Sequence, residues 1–208
     1  LYIIITKEMY HMNYYISDLH ILHKNVCKEG KNFDQRPFET MDEMMNFIQQ
    51  QWNENITDND DVYILGDFCW KENEQSIVFV SSLKGKKHLI IGNHDRLKNE
   101  AYRSLFVEIT PYKEVHEIID GLKYSFILQH YPIMFWNHQH HLNNDLPINI
   151  HLYGHVHNSL EETIYQSFIQ TLNQTYHYHC IAINVGCMMP YIHYQPKTAR
   201  ELLNDHQV

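Results

Sequence analysis

The sequence has no Cys-x-x-Cys pair, no surplus of positive charge, no internal repeat and no low-complexity linker. Each absence closes off a class of protein. Cys27, Cys69, Cys180 and Cys187 have the spacing of neither a disulfide framework nor a zinc knuckle, so a reducing, cytoplasmic location is expected. Apolar runs reach only about five residues, against the roughly 20 needed to span a bilayer, so no membrane partner is expected. The short apolar start, Leu1 to Thr6, lacks a small-residue cleavage site and does not read as a signal peptide. Lys and Arg number 16 against 25 Asp and Glu, a net charge of −9 with histidine neutral. That balance repels a phosphate backbone and argues against a duplex nucleic-acid partner.

What remains is a chain of 208 residues, 44% apolar and 20% charged, which suits one globular domain. Residues 1–12 are expected to be an N-terminal extension, and 13–208 a single domain. The 17 histidines are the compositional excess, and many neutral histidines in one chain point towards ligands.

Residues 13–17 read as a strand. Thr40 then opens a helix with Glu43 at the third position, the spacing of a capping box. Met41, Met44, Met45, Ile48 and Trp52 line one face of it at helical spacing and read as core. Strands follow at 62–65 and 87–91, with a helix at 73–83 between them that turns Ile77, Val80 and Leu83 inward. Asp120-Gly121 separates strands 113–119 and 122–129, a strong hairpin signal. A strand at 149–153, a helix at 159–172, a strand at 179–185 and a final helix capped by Thr198 and Glu201 complete the pattern. The first half reads as βαβ units and the hairpin adds antiparallel strands, so the class is α/β.

Chemistry-bearing residues recur where these strands end. Asp18-Leu-His20 follows the first, Gly66-Asp67 the second and Gly92-Asn93-His94-Asp95 the third. His130-Tyr-Pro132 follows the hairpin, and Gly154-His155-Val-His157 follows the next strand. The C-terminal edge of an open α/β sheet is where ligands bind. Taken singly, Asp-x-His and Gly-Asp are ordinary loops, and a lone histidine is more often a hydrogen-bonded residue than a ligand. Five such groups at five strand ends make chance a poor explanation. Two divalent ions about 3.5–4 Å apart need a bridging carboxylate and terminal nitrogen and oxygen ligands. This mixture suits Mn, Fe, Zn, Co or Ni better than calcium.

The order Asp-x-His, Gly-Asp, Gly-Asn-His-Asp, His, Gly-His-x-His resembles the calcineurin-like metallophosphoesterase superfamily from Asp18 to His157. Arg36-Pro-Phe38, Leu83-Lys-Gly85, His130-Tyr-Pro-Ile133 and Asn184-Val-Gly186 resemble its small bacterial and phage members. The resemblance implies a two-sheet β-sandwich flanked by helices, with a dinuclear metal site at the strand C-terminal ends. It implies one ion on Asp18, His20 and His157, a second on Asn93, His130 and His155, and Asp67 bridging them. It further implies that a metal-bridging hydroxide attacks phosphorus, that His94 protonates the leaving group as general acid, and that Asp95 orients or tunes His94.

One departure bears on the substrate. Protein phosphatases of this superfamily continue Gly-Asp into Asp-Arg-Gly, whereas Gly66-Asp-Phe-Cys-Trp70 stands here and lacks that arginine. A small phosphodiester or nucleotide-like substrate is therefore expected ahead of a phosphoprotein. A nuclease acting on short single strands and a non-catalytic metal-binding scaffold are the alternatives. His23 reads either as a pocket residue or as a loop histidine. Arg36 reads either as a phosphate contact or as an ion pair at a helix entry. Cys69 reads as packing first and as a redox or inhibitory residue second. The loop 131–147, with Tyr131, Phe135, Trp136, His138, His140 and His141, reads either as a base-stacking surface or as a packed loop. The 159–172 helix is a candidate lid or homodimer contact.

Overall fold

The structure is a computed structural model that describes residues 11–206. Strand β1 (Asn13–Ile16), helix α1 (Met41–Asn55), β2 (Asp61–Ile64), α2 (Glu74–Ser82) and β3 (Lys86–Ile90) alternate, and the three strands pair in parallel. A short α3 (Glu100–Arg103) leads to β4 (Glu108–Thr110), which joins β3 in parallel. β5 (Lys113–Ile119) and β6 (Leu122–Leu128) form the antiparallel hairpin. Asp120 and Gly121 both have positive φ, 51° and 81°, as a tight hairpin turn requires. A small ribbon of β7 (Leu142–Asn143) and β8 (Leu146–Pro147) precedes β9 (Asn149–Tyr153). Then come α4 (Leu160–Tyr176), β10 (Ala182–Asn184), β11 (Lys197–Thr198) and α5 (Ala199–Asp205).

The protein is thus mixed α/β. One sheet has the order β11-β1-β2-β3-β4, and a second has the order β10-β9-β6-β5. A continuous buried cluster draws on both sheets, and the Tyr15 ring of one lies 5.7 Å from Phe126 of the other. The expected stripe of α1 enters this cluster: Met41, Met44, Met45, Ile48 and Trp52 are all buried. Each such side chain removed from water contributes about 1.5–3 kcal/mol. The Trp52 indole N–H donates to the Lys84 carbonyl at 2.8 Å, so its polar edge is satisfied as well. A second cluster, with Trp136, Tyr153, Tyr165 and Ile169, lies under α4.

Register sets the functional edge. Ile16 lies opposite Ile64, and Ile64 opposite Leu89, so the loops after β1, β2 and β3 leave side by side. Leu128, Leu152 and Ile183 are aligned in the same way in the second sheet. The two edges are stitched together where Ser17 N–H donates to the Val185 carbonyl at 2.8 Å and Cys187 N–H to the Ser17 carbonyl at 2.9 Å.

Several expectations shift. Helix α4 runs to Tyr176 and ends on His177 at φ 55°, so β10 begins at Ala182 rather than 179. In α2 the buried apolar residues are Phe79 and Val80; Leu83 is buried at its C-cap, and Ile77 is only half-buried. Thr40 accepts from the Glu43 N–H at 3.1 Å, but the Glu43 carboxylate takes the Glu39 N–H, one residue before the box position. Thr198 and Glu201 form the reciprocal box. Of the expected extension, residues 1–10 lie outside the described residues. His11 and Met12 join the fold, with Met12 N–H donating to Asp60 at 2.9 Å and the Met12 carbonyl accepting from Asp61 N–H at 3.0 Å. Among the described residues the four cysteines are free and buried, and no helix is long and apolar enough to cross a membrane.

Candidate metal centre

The predicted ligands meet at the stitched edge. Asp18, His20, Asp67 and His130 are buried, His155 and His157 are half-buried, and Asn93 is exposed. Asp18, His20, Asp67, His155 and His157 all have positive φ, between 51° and 68°. A side chain with a Cβ pays about 1–2 kcal/mol in that region. Such strain persists only where the surroundings over-determine it, and it gathers at functional sites. The glycines serve two purposes. Gly66 takes the turn itself, at φ 85°. Gly92 and Gly154 allow close approach: a Cβ on Gly154 would lie 2.0 Å from Ser17 Oγ, and one on Gly92 2.4 Å from Asp67 Oδ1. Of the three, only Gly66 has positive φ.

Two groups of donor atoms form. In the first, His20 Nε2 and His157 Nε2 are 3.2 Å apart, and Asp18 Oδ1 lies 4.0 and 3.6 Å from them. In the second, Asn93 Oδ1 lies 3.0 Å from His130 Nε2 and 2.9 Å from His155 Nδ1. Asp67 Oδ2 stands between the groups, 3.7 Å from His20 Nε2 and 3.6 Å from His130 Nε2. Donors about 2.1 Å from a shared ion lie roughly 3–3.5 Å from one another, so these separations are near those of a ligand set. Asp18 Oδ1 is buried without a hydrogen-bond partner among the described residues, a cost that an ion would relieve. The residues present therefore fit divalent ions.

Two of the candidate imidazoles, His130 and His157, are fixed by their second nitrogens. His130 Nδ1 lies 2.7 Å from the Leu65 carbonyl, and His157 Nδ1 lies 2.9 Å from Asp34 Oδ1. Burial, then the Arg36 charge and neighbouring imidazoles, keep His20 well below the usual histidine range, in its ligating form. Burial also lowers His155. For His157 burial acts downward, but the Asp34 hydrogen bond and the carboxylates of Asp18 and Asp34 outweigh it, and its pKa is raised. Burial pushes the Asp67 carboxyl upward, with His130 opposing and Asp18 adding.

Of the two readings of Arg36, the geometry favours the ion pair: the residue is fully buried and paired with Asp34. Its guanidinium donates to Asp34 Oδ2 at 2.7 and 2.8 Å, to the Asp18 carbonyl at 2.8 Å and to the Leu19 carbonyl at 2.9 Å. It braces the ligand loop, because burial without those partners would leave the cation uncompensated. Asp95 does not orient the His94 ring. Its carboxylate accepts from the N–H groups of Gly92, Asp67 and Phe68 at 2.8, 2.9 and 3.2 Å, tying the loops after β2 and β3 together. Burial pushes Asp95 up to about 6, with those N–H groups opposing.

His94 itself is 40% exposed, with Nε2 3.9 Å from Asp67 Oδ2. Trp70 contacts it, with ring centroids 4.6 Å apart. On Trp70 the His23 ring stacks at 3.8 Å and 7°, so His23 sits at the margin of the centre, 5.7 Å from the His20 ring. Cys69 is buried in the packing, where burial raises its thiol pKa. In the 131–147 loop, Trp136 is buried and donates to the Asn149 carbonyl at 2.9 Å. Exposed Tyr131 lies 4.4 Å from the His155 ring, while His138, His140 and His141 cluster at the surface. Sequence reasoning missed Asp34, the carboxylate that holds both His157 and Arg36. Its position two residues before Arg36 was the available signal.

No protein-family model matches the chain. Over 121 residues, 57% of its length, the chain is 31% identical to an uncharacterized protein of Methanocaldococcus jannaschii, and it spans 58% of that relative. Its fold is similar to the crystal structure of a protein of unknown function from Aquifex aeolicus, with a TM-score of 0.65 and 23% identity, covering 96% of this chain and 100% of that one.

Proposed function

We propose that the protein is a dinuclear-metal phosphoester hydrolase of calcineurin-like fold, acting on a small phosphodiester. The observation that carries this reading is the position of Asp67 Oδ2 between His20 and His130, at 3.7 and 3.6 Å. A carboxylate oxygen shared by two donor groups is what a bridging ligand requires. Asp18, His20 and His157 would hold one ion, and Asn93, His130 and His155 the other. When bound, the ions supply Lewis acidity and lower the pKa of water towards neutrality. Mn, Fe, Zn, Co and Ni suit these donors.

The chain's own contribution is positioning and proton transfer. Asp67 and Asp18 set the negative charge that the cations balance. Asp34, Arg36 and Asp95 fix the loops that carry the ligands. His94, half-exposed with Nε2 3.9 Å from Asp67, would donate a proton to the departing alkoxide. General acid catalysis of this kind contributes about 10²–10⁴-fold. Hydrolysis of bis-p-nitrophenyl phosphate with added Mn²⁺ tests the reading. His94→Ala is expected to lower kcat by about 10²-fold or more while metal content stays unchanged. Full activity in both His94→Ala and Asp67→Asn would overturn the mechanism.

A further inference from the structure

A cavity of about 490 Å³ adjoins the centre and shares His155 and His157 with it. Its other walls include Phe33, Met188, Tyr194 and Glu161, and among the described residues no Lys or Arg lines it. Phe33 is 53% exposed, with its ring 6.1 Å from that of His157. A half-exposed phenyl group beside a metal-ligand candidate leaves apolar surface that nothing in the described fold covers. Glu161 lies in the first turn of α4 and has no ion-pair partner among the described residues. Asp34, the other acid of the wall, is already neutralised by Arg36 at 2.7 Å. His94 does not line the cavity.

We infer that this cavity is the subsite for the retained ester arm of a phosphodiester, and that it selects a flat or apolar arm that is neutral or cationic. The inference rests on the phosphoesterase reading and narrows its substrate class. The departing alkoxide must lie within reach of the proton on His94, so an arm seated on the His157 side is the one that stays on phosphorus. A monoester leaves the cavity empty. Glu161 together with the absence of basic residues disfavours a polyanionic arm, as in an oligonucleotide or a nucleoside polyphosphate. Phe33 supplies the face on which a ring stacks.

Calorimetric binding of phosphonates to the Mn²⁺-loaded protein tests this without turnover. Phenylphosphonate is expected to bind about tenfold more tightly than methylphosphonate, a difference of about 1.4 kcal/mol. Phe33→Ala should erase that ratio and leave methylphosphonate affinity unchanged. In the wild type, 4-(aminomethyl)phenylphosphonate should outbind 4-phosphonobenzoate, and Glu161→Lys should reverse that order. Equal affinity for the phenyl and methyl probes, a ratio that survives Phe33→Ala, or an order that Glu161→Lys does not move would each overturn the subsite. If diester hydrolysis persists alongside any of these results, the phosphoesterase reading stands and the subsite alone fails. Binding of neither phosphonate together with hydrolysis of no phosphoester would remove both.

Discussion

Asp18, His20 and His157 sit at one end of the candidate centre with little exposed surface, whereas Asn93 and His155 at the other end face solvent. The closed end has a deep backing. Asp34 holds His157, Arg36 holds Asp34 and the Asp18 carbonyl, and Asn184 donates to the His157 carbonyl at 3.0 Å. At the open end only His130 is buried, resting on the Leu65 carbonyl, and the Asn93 amide oxygen faces two imidazoles. Similar donor types are therefore supported in different ways. The closed end is part of the fold's own polar accounting, so its loss is felt as stability. The open end is closer to a rim, so its loss is felt as ligand binding.

Arg36→Met should break the comparison hardest. It leaves the Asp34 carboxylate with His157 as its remaining charged partner, and removing one member of a buried pair costs about 3–5 kcal/mol. Urea unfolding measures this, and a variant as stable as the wild type would deny the closed end its backing.

Acid should act beneath the open end, through His151. This fully buried histidine places Nδ1 3.0 Å from the Ile127 carbonyl, and its Nε2 accepts from Ile133 N–H at 3.3 Å, in the loop that follows His130. Burial lowers its pKa to about 4, against the usual 6.5. The folded state therefore disfavours the charged form. Its contribution is complete above the unfolded pKa and is lost as pH falls from about 6.5 towards 4. The full span is worth about 3 kcal/mol. Unfolding midpoints across that range should fall in the wild type, and the fall should be shallower in His151→Gln. Parallel pH curves for the two proteins would refute the assignment.

The smallest effect separates the two rims. His157→Ala should destabilise the metal-free protein by about 1–2 kcal/mol, because Asp34 loses a partner. His155→Ala should stay within about 0.5 kcal/mol of the wild type. Both should reduce the number of bound ions. Equal destabilisation would erase the distinction between the ends.

The strand-end groups were legible because each candidate ligand follows a strand whose apolar pattern marks its end, and parallel register then brings those ends level. The Thr198–Glu201 box and the Asp120-Gly121 turn were legible for local reasons: their partners are three residues apart or adjacent. What could not be read is what burial decides. Arg36 looks the same in sequence whether it meets solvent phosphate or two buried carbonyls. Asp95 stands next to His94 in the chain, yet its carboxylate turns back to three N–H groups that only the folded loops bring together. Asp34 lies in a polar loop with no periodicity, and β4 and β11 are too short to show alternation.

The most direct test of the central claim is metal stoichiometry after reconstitution with Mn²⁺, in the wild type and in Asp67→Asn. Two ions per wild-type chain, falling to one or fewer in Asp67→Asn together with loss of diester hydrolysis, is the predicted result. A single ion in the wild type, or two ions and intact hydrolysis in Asp67→Asn, would contradict a bridged dinuclear centre.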